Sequence, residues 1–228
     1  SINHLNLMQI KYYLNFIEDH RHSMNMYGEQ LISHQSKKNK DMTIGFFQPT
    51  IDNISKIILS SKWKMRYLRY FSYTQQVKNL SQHDIAHICD HQYAHLYPHL
   101  KSKLKFITVH DLVPLVFQKK LNKDPKLLKY SLKYLKFFTK VFTISKSTKK
   151  DILKFTDCPE SKIKVIYRSV ENEFNTNIID KKIIAQKYKI PLNKKKILIS
   201  GNIFYKNNEV SYKVFEKLYK IDKDIVLI

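Results

Sequence analysis

Residues 84–111, DIAHICDHQYAHLYPHLKSKLKFITVHD, constrain this chain more than any other stretch. An apolar run (Ile85, Ala86, Ile88) leads into Asp90, and a second, Phe106–Val109, stops at His110-Asp111. Short β-branched runs closed by polar residues suit buried strands. The aromatic and histidine-bearing piece between them, Tyr93 to His99, is long enough for a helical crossover. The pair reads as a βαβ unit, which implies a parallel sheet. Open parallel sheets hold their ligands at the carboxyl ends of the strands. The expected site therefore lies near Asp90 and His110.

The rest of the chain continues this alternation. Residues 10–18 read as a first strand, Asp19 to His22 as a polar turn, and Ser23 as the N-cap of a helix to about Ser33. Ile44–Phe47 reads as a strand and residues 62–79 as a helix. Lys126–Lys140 reads as a basic helix and Val141–Ser145 as a strand. Ser147 is expected to cap a helix over Thr148–Phe155, before a strand at Ile163–Tyr167. Strands alternating with helices give an α/β fold with a parallel sheet. Residues 175–193 lose strong periodicity, although KKIIAQKYKI before Pro191 is helix-like. A strand at Lys196–Ser200 then ends in Gly201, followed by a helix from about Asn208 to Lys220 and a strand from Asp224. The expected organisation is one domain over 8–174, a linker over 175–193 and the opening β-α-β of a second over 194–228. That unit is unfinished at its apolar last residues, so the reading frame is expected to continue past Ile228.

The chain has 41 Lys+Arg against 19 Asp+Glu, a formal net charge of +22. Such an excess attracts polyanions: nucleic acid, an anionic membrane face or a phosphorylated substrate. Abundant Lys, Asn, Ile and Tyr with only 3 Gly is equally what AT-rich coding produces. The two cysteines, Cys89 and Cys158, make no disulfide framework, which points to a reducing compartment. No apolar run approaches the roughly 20 residues that span a bilayer, and the N-terminus shows no cationic flank before an apolar core. The expected location is the cytoplasm, free or peripheral at the inner membrane face. Lys126, Lys129, Lys133, Lys136 and Lys140 fall at helical spacing on one face. That face suits an anionic membrane, and equally the solvated side of a sheet-covering helix.

The ordered series DIAHICDHQYAH, ITVHD, VFTISKSTKKDIL, KIKVIYRSVENEF and ILISGNIFYKNN resembles the nucleotide-sugar glycosyltransferases of family 4. The resemblance runs from about residue 10 to the end. It implies a GT-B architecture: a complete Rossmann-like acceptor-side domain and the opening of a donor-side domain. It implies transfer of a sugar, with retention, from a UDP- or GDP-sugar to a glycan or lipid-linked acceptor, the donor being a co-substrate with no separate cofactor. It places His110 beside the donor sugar, Ser145 after the next strand, Val170 to Phe174 before the linker, and Gly201, Asn202 and Lys206 at the donor diphosphate. Two positions depart from the family. His20-Arg21-His22-Ser23 stand where a Gly-Gly loop is common, and Asn202 stands where Arg is common. The family's Glu-containing donor motif would lie beyond Ile228, so the fragment is expected to be inactive alone.

Breaking a glycosidic bond to a diphosphate needs fixed positive charge on the leaving group, which Lys206 at a helix entry is placed to supply. His110 can hydrogen-bond the sugar or the diphosphate, while Asp111 suits capping of the following turn. His22, Ser23, Asp90 and Tyr93 are the expected acceptor contacts. His91, His95 and His99 invite a metal reading, but Gln92 holds the place of the Glu that a zinc protease needs, and no metal is expected. A basic nucleic-acid-binding protein and an inactive glycosyltransferase remnant are the alternatives. No helix-turn-helix, zinc finger or stacking platform supports the first, so nucleic acid is not an expected partner.

Overall fold

A computed structural model of the chain describes residues 7–58, 60–122, 125–169, 180–201 and 204–228. Two compact units divide after Arg168. The first contains six parallel strands, β1 (Met8–Tyr13), β2 (Met42–Phe47), β3 (His83–Ile88), β4 (Ser102–Val109), β5 (Lys140–Thr143) and β6 (Ile163–Val165). Their order is β2-β1-β3-β4-β5-β6. The α/β class with a parallel sheet is thus the one expected from the alternation.

Side-chain alternation assigns the two faces of this sheet. Tyr13 and Ile88 join a large core with Phe16, Leu68, Tyr73, Tyr93 and Leu96 on one face. Tyr12, Leu14 and Cys89 pack with Tyr27, Leu31 and Ile32 of the His22–Lys38 helix on the other. That helix approaches closely at Gly28, where an added Cβ would collide with the Leu14 side chain. Strands β1 and β4 are exposed at their amino ends and buried at their carboxyl ends. The buried polar residues Asn15, Asp90, His91, His110 and Thr143 lie at the carboxyl ends of β1, β3, β4 and β5.

Local physics corrects several sequence expectations. The first strand stops at Tyr13, and Ile17–Asp19 form a 3-10 turn. The next helix starts at His22 with Arg21 at its N-cap, so Ser23 lies inside it and caps nothing. The Ser61–Lys78 stretch is helical, with a π-turn over Leu68–Ser72 between its two α segments. The β3–β4 crossover is a 3-10 segment, His91–His99, capped by Asp90 and containing Pro98. The basic helix covers only Lys126–Leu132, followed by a 3-10 turn at Leu135–Phe137. Burial of Leu135 and Phe138 pulls the chain back onto the sheet, and Lys140 already belongs to β5, so the five lysines share no helix. The cap of the Lys146–Phe155 helix is Ser145, whose hydroxyl accepts from the Thr148 amide at 3.0 Å, and not Ser147.

The second unit contains a helix Lys181–Tyr188, strands β7 (Lys195–Ile197) and β8 (Ile225–Leu227), and a helix Asn208–Ile221 between them. β7 and β8 pair in parallel, as a β-α-β unit requires.

Candidate functional site

In the strand order, β2 lies on one side of β1 and β3 on the other. Successive crossovers therefore leave β1 in opposite directions, and the crevice between the carboxyl ends of β1 and β3 is a topological switch point. Asn15 follows β1 and Asp90 follows β3. Asn15 Nδ2 donates to Asp90 Oδ2 at 2.8 Å across that crevice.

Asp90 is fully buried and gathers donors from three segments. Arg21 Nη1 lies 3.0 Å from Oδ2 and the Gln92 backbone amide donates to Oδ1 at 3.0 Å, while His91 Nδ1 stands 3.4 Å from Oδ1 without a hydrogen bond. Burial alone would raise the Asp90 pKa. His91 and the guanidinium of Arg21 beside it, with the Gln92 N–H, outweigh it and hold the carboxyl well below the usual range. Oriented oxygen-first, the Gln92 carboxamide also accepts from Arg21. The chain reaches this position through His20, whose φ of 51° is a left-handed conformation uncommon outside glycine.

His110 follows β4 and is 3% exposed. Its Nε2 lies 2.8 Å from the Cys89 carbonyl oxygen, which can only accept, so Nε2 carries the proton. Burial lowers its pKa, against the pull of Asp90, so the neutral ring predominates. Nδ1 is then an acceptor, and it has no protein partner. The ring is held edge-on to Tyr27, with centroids 4.8 Å apart and planes at 89°. Tyr27 is tied by its hydroxyl to Thr108 Oγ1 at 3.0 Å, and His87 Nε2 meets the same oxygen at 2.8 Å. The Thr148 hydroxyl donates to the His110 carbonyl at 3.1 Å, joining the Lys146–Phe155 helix to the site. The arrangement presents an oriented imidazole acceptor suited to a hydroxyl group.

The structure brings Asp90 and His110 to neighbouring strand ends and separates other expected residues from them. Tyr93 is completely buried, its ring edge-on to Tyr73 at 4.8 Å and its phenol donating to Asp19; it packs in the core. His22 and Ser23 are exposed on the first turn of their helix. His95 is engaged at both nitrogens, Nε2 with the Arg69 carbonyl at 3.0 Å and Nδ1 with Ser131 Oγ at 2.8 Å. Among the described residues no group of three or more His, Cys, Asp or Glu side chains could hold a metal. Asn15 and Arg21 enter the site without having been singled out from sequence; Arg21 lay in the polar turn after the first strand, and Asn15 was hidden because that strand ends at Tyr13 and not at residue 18.

In the second unit, Gly201 adopts φ 85°, and a Cβ there would stand 3.6 Å from Lys206 Cγ. Its carbonyl accepts from the Asn208 side chain at the start of the Asn208–Ile221 helix. Lys206 is exposed on the 3-10 turn entering that helix. Asn202 and Val170 to Phe174 lie outside the described residues.

The profile of Glycosyltransferase Family 4 matches residues 39–174. No curated protein matches the chain. Among solved structures, Anabaena Alr3699/HepE in complex with UDP and glucose superposes with a TM-score of 0.55 at 11% identity, over 96% of this chain and 60% of that one. Its complex with UDP-glucose gives 0.53 at 11% identity, over 96% and 59%. At that identity the likeness shows the fold, that of the GT-B glycosyltransferases, and this chain spans about 60% of their length. With more than half of its residues matched by the family profile, the chain belongs to glycosyltransferase family 4.

Proposed function

We propose that the protein transfers a sugar from a UDP- or GDP-sugar to a glycan or lipid-linked acceptor, with retention of anomeric configuration. The observation that carries this reading is His110. It is a buried, neutral imidazole fixed by the Cys89 carbonyl, with Nδ1 unpartnered at the strand edge next to the switch point. A buried acceptor without a partner is costly, and a hydroxyl of the transferring sugar would satisfy it. The UDP-glucose complex of the similar Anabaena protein supports a nucleotide sugar as donor.

In this reading the unit before Arg168 faces the acceptor, and Gly201, Asn202 and Lys206 hold the donor diphosphate. As the C1–O bond breaks, its electron pair passes to the diphosphate. Lys206 and the amino end of the Asn208–Ile221 helix stabilise that charge, while the acceptor hydroxyl forms the new bond to C1 and passes its proton to the departing diphosphate oxygen. The donor is a co-substrate and no separate cofactor takes part. Among the described residues no helix is long and apolar enough to cross a membrane. Contact with the inner membrane face is assigned to the Lys126–Leu132 helix, where Leu127 and Tyr130 are exposed beside Lys129.

The test is nucleotide-dependent thermal protection of the full-length protein, with nucleoside diphosphate release from UDP-glucose and a GDP-sugar. The expected result is protection by UDP or GDP and release that requires His110. Absence of protection by either nucleotide, with binding to mixed-sequence DNA that survives moderate salt, contradicts it.

A further inference from the structure

A cavity of about 290 Å³ that the transfer step above does not use opens between Thr50 and Asp52, just after β2, and the helical stretch Ser61–Lys78. Its walls are held together by side chains. The Gln76 carboxamide accepts from the Thr50 N–H at 3.0 Å and donates to the Thr50 carbonyl at 2.8 Å. Asp52 accepts from the Ser55 amide at 2.8 Å and from the Tyr67 hydroxyl at 3.0 Å. Walls fixed before binding lower the cost of ordering a ligand.

The helical wall carries an aromatic platform followed by two amides. Phe71 stacks on Tyr67, with centroids 5.4 Å apart and planes at 29°, yet Phe71 remains 52% exposed. It sits in the π-turn Leu68–Ser72, an irregularity that recurs at functional sites. Gln75 and Asn79 follow at four-residue spacing, which puts them on the same helix face, and both line the cavity. Their carboxamides are exposed and bond no other described residue.

Charge decides what fits. The chain has 41 Lys+Arg against 19 Asp+Glu, yet no residue lining this cavity is a cation and one is a carboxylate. A phosphoryl group would meet Asp52 with no counter-charge. A purely apolar ligand would strip water from the amides and the carboxylate without replacing their hydrogen bonds. A neutral polyhydroxylated ring satisfies both kinds of wall. Its hydroxyls can donate to Asp52 and exchange hydrogen bonds with Gln75 and Asn79. Its C–H face, slightly positive, suits the negative face of the Phe71 ring. The volume lies at the small end of ligand pockets, which suits a single ring.

From this geometry we infer that the cavity binds an uncharged sugar residue of the acceptor. The inference rests on the reading of the protein as a glycosyltransferase and adds a subsite for a neutral sugar, built from Asp52, Phe71, Gln75 and Asn79.

The experiment is saturation-transfer NMR of the full-length protein with the methyl glycosides of glucose, galactose, mannose and N-acetylglucosamine, with and without UDP. Phe71→Ala removes the platform, Phe71→Tyr keeps it, and Gln75→Ala removes one amide. All three change exposed side chains, and melting temperature checks that the fold is retained. Transfer from aromatic protons to the ring C–H protons of at least one glycoside is expected, unchanged by UDP. Affinity should weaken about tenfold in Phe71→Ala and about fivefold in Gln75→Ala, and stay near wild type in Phe71→Tyr. No transfer to any of the four glycosides, or equal affinity in Phe71→Ala and wild type, overturns the inference. Signals abolished by UDP assign the sugar to the donor pocket and overturn it as well. Binding that depends on Phe71, in a protein that neither UDP nor GDP protects from unfolding, instead overturns the donor reading and leaves the sugar site standing.

Discussion

Asn15 donates its amide to the carboxylate of Asp90 at 2.8 Å, joining the ends of two parallel strands between which the sheet reverses its order. That bond closes the base of the crevice and leaves Asp90 Oδ1 for the Gln92 amide. A chain folded this way delivers its polar residues to one edge, whatever the chemistry there.

Asp90→Ala removes the acceptor from Asn15, Arg21 and Gln92 together. The expected loss is about 3 kcal/mol, the lower end for a broken buried pair, because Arg21 stays 29% exposed. The pH dependence has a definite sign. The folded pKa of Asp90 is depressed, so its contribution is complete above the unfolded value of about 4 and is lost as pH falls through the folded value. Asp90→Asn should flatten the acid limb of stability below about pH 4. Superimposable acid-unfolding curves for variant and wild type contradict the assignment.

His87 and His95 act in a higher window. Burial lowers their pKa values to about 3 and about 4. Between those values and the unfolded value of about 6.5, the unfolded chain binds the extra protons, so stability falls as pH falls. Each histidine should contribute a slope approaching 1.4 kcal/mol per pH unit. Urea midpoints between pH 4.5 and 6.5 for His87→Gln should show a shallower slope than wild type. An unchanged slope would mean that His87 is not buried neutral.

Gly28 decides between two opposing effects. Ala is favoured by about 0.5–1 kcal/mol over Gly inside a helix, but the new methyl would collide with buried Leu14 and reach within 3.4 Å of Cys89 Sγ. Overpacking typically costs about 1–3 kcal/mol, so Gly28→Ala should lower the melting temperature and Gly28→Val should lower it more. A stabilised Gly28→Ala protein would show that the helix and strand are not in close contact there.

Much of this site was legible because Asp90 and His110 each terminate an apolar run, and chain direction alone sends both to one sheet edge. Asn15 and Arg21 were not legible, since their partner Asp90 is 75 and 69 residues away, and Asn15 fell inside the strand expected over 10–18. Tyr93 misled for a local reason. Three residues past Asp90 it sounds like a site residue, but the 3-10 turn that Asp90 caps rotates it into the core. The basic helix was overextended because Leu135 and Phe138 fit a helical stripe as well as the turn that buries them.

Lys206→Ala should weaken donor binding more than it slows turnover, because a phosphate contact exists in the ground state as well as in the transition state. The expected signature is a raised KM for the nucleotide sugar with kcat less affected. A change confined to kcat would place Lys206 at the reacting centre.

In the proposed reaction the free nitrogen of His110 serves the transferring sugar. His110→Gln tests it most directly, because a carboxamide nitrogen can replace Nε2 on the Cys89 carbonyl while the Nδ1 acceptor is lost. Steady-state kinetics of the full-length protein should show kcat lowered about 10- to 100-fold, equivalent to one unmet hydrogen bond of ~1–3 kcal/mol, with nucleotide affinity and melting temperature close to wild type. A variant that folds normally and turns over at the wild-type rate would remove His110 from the site.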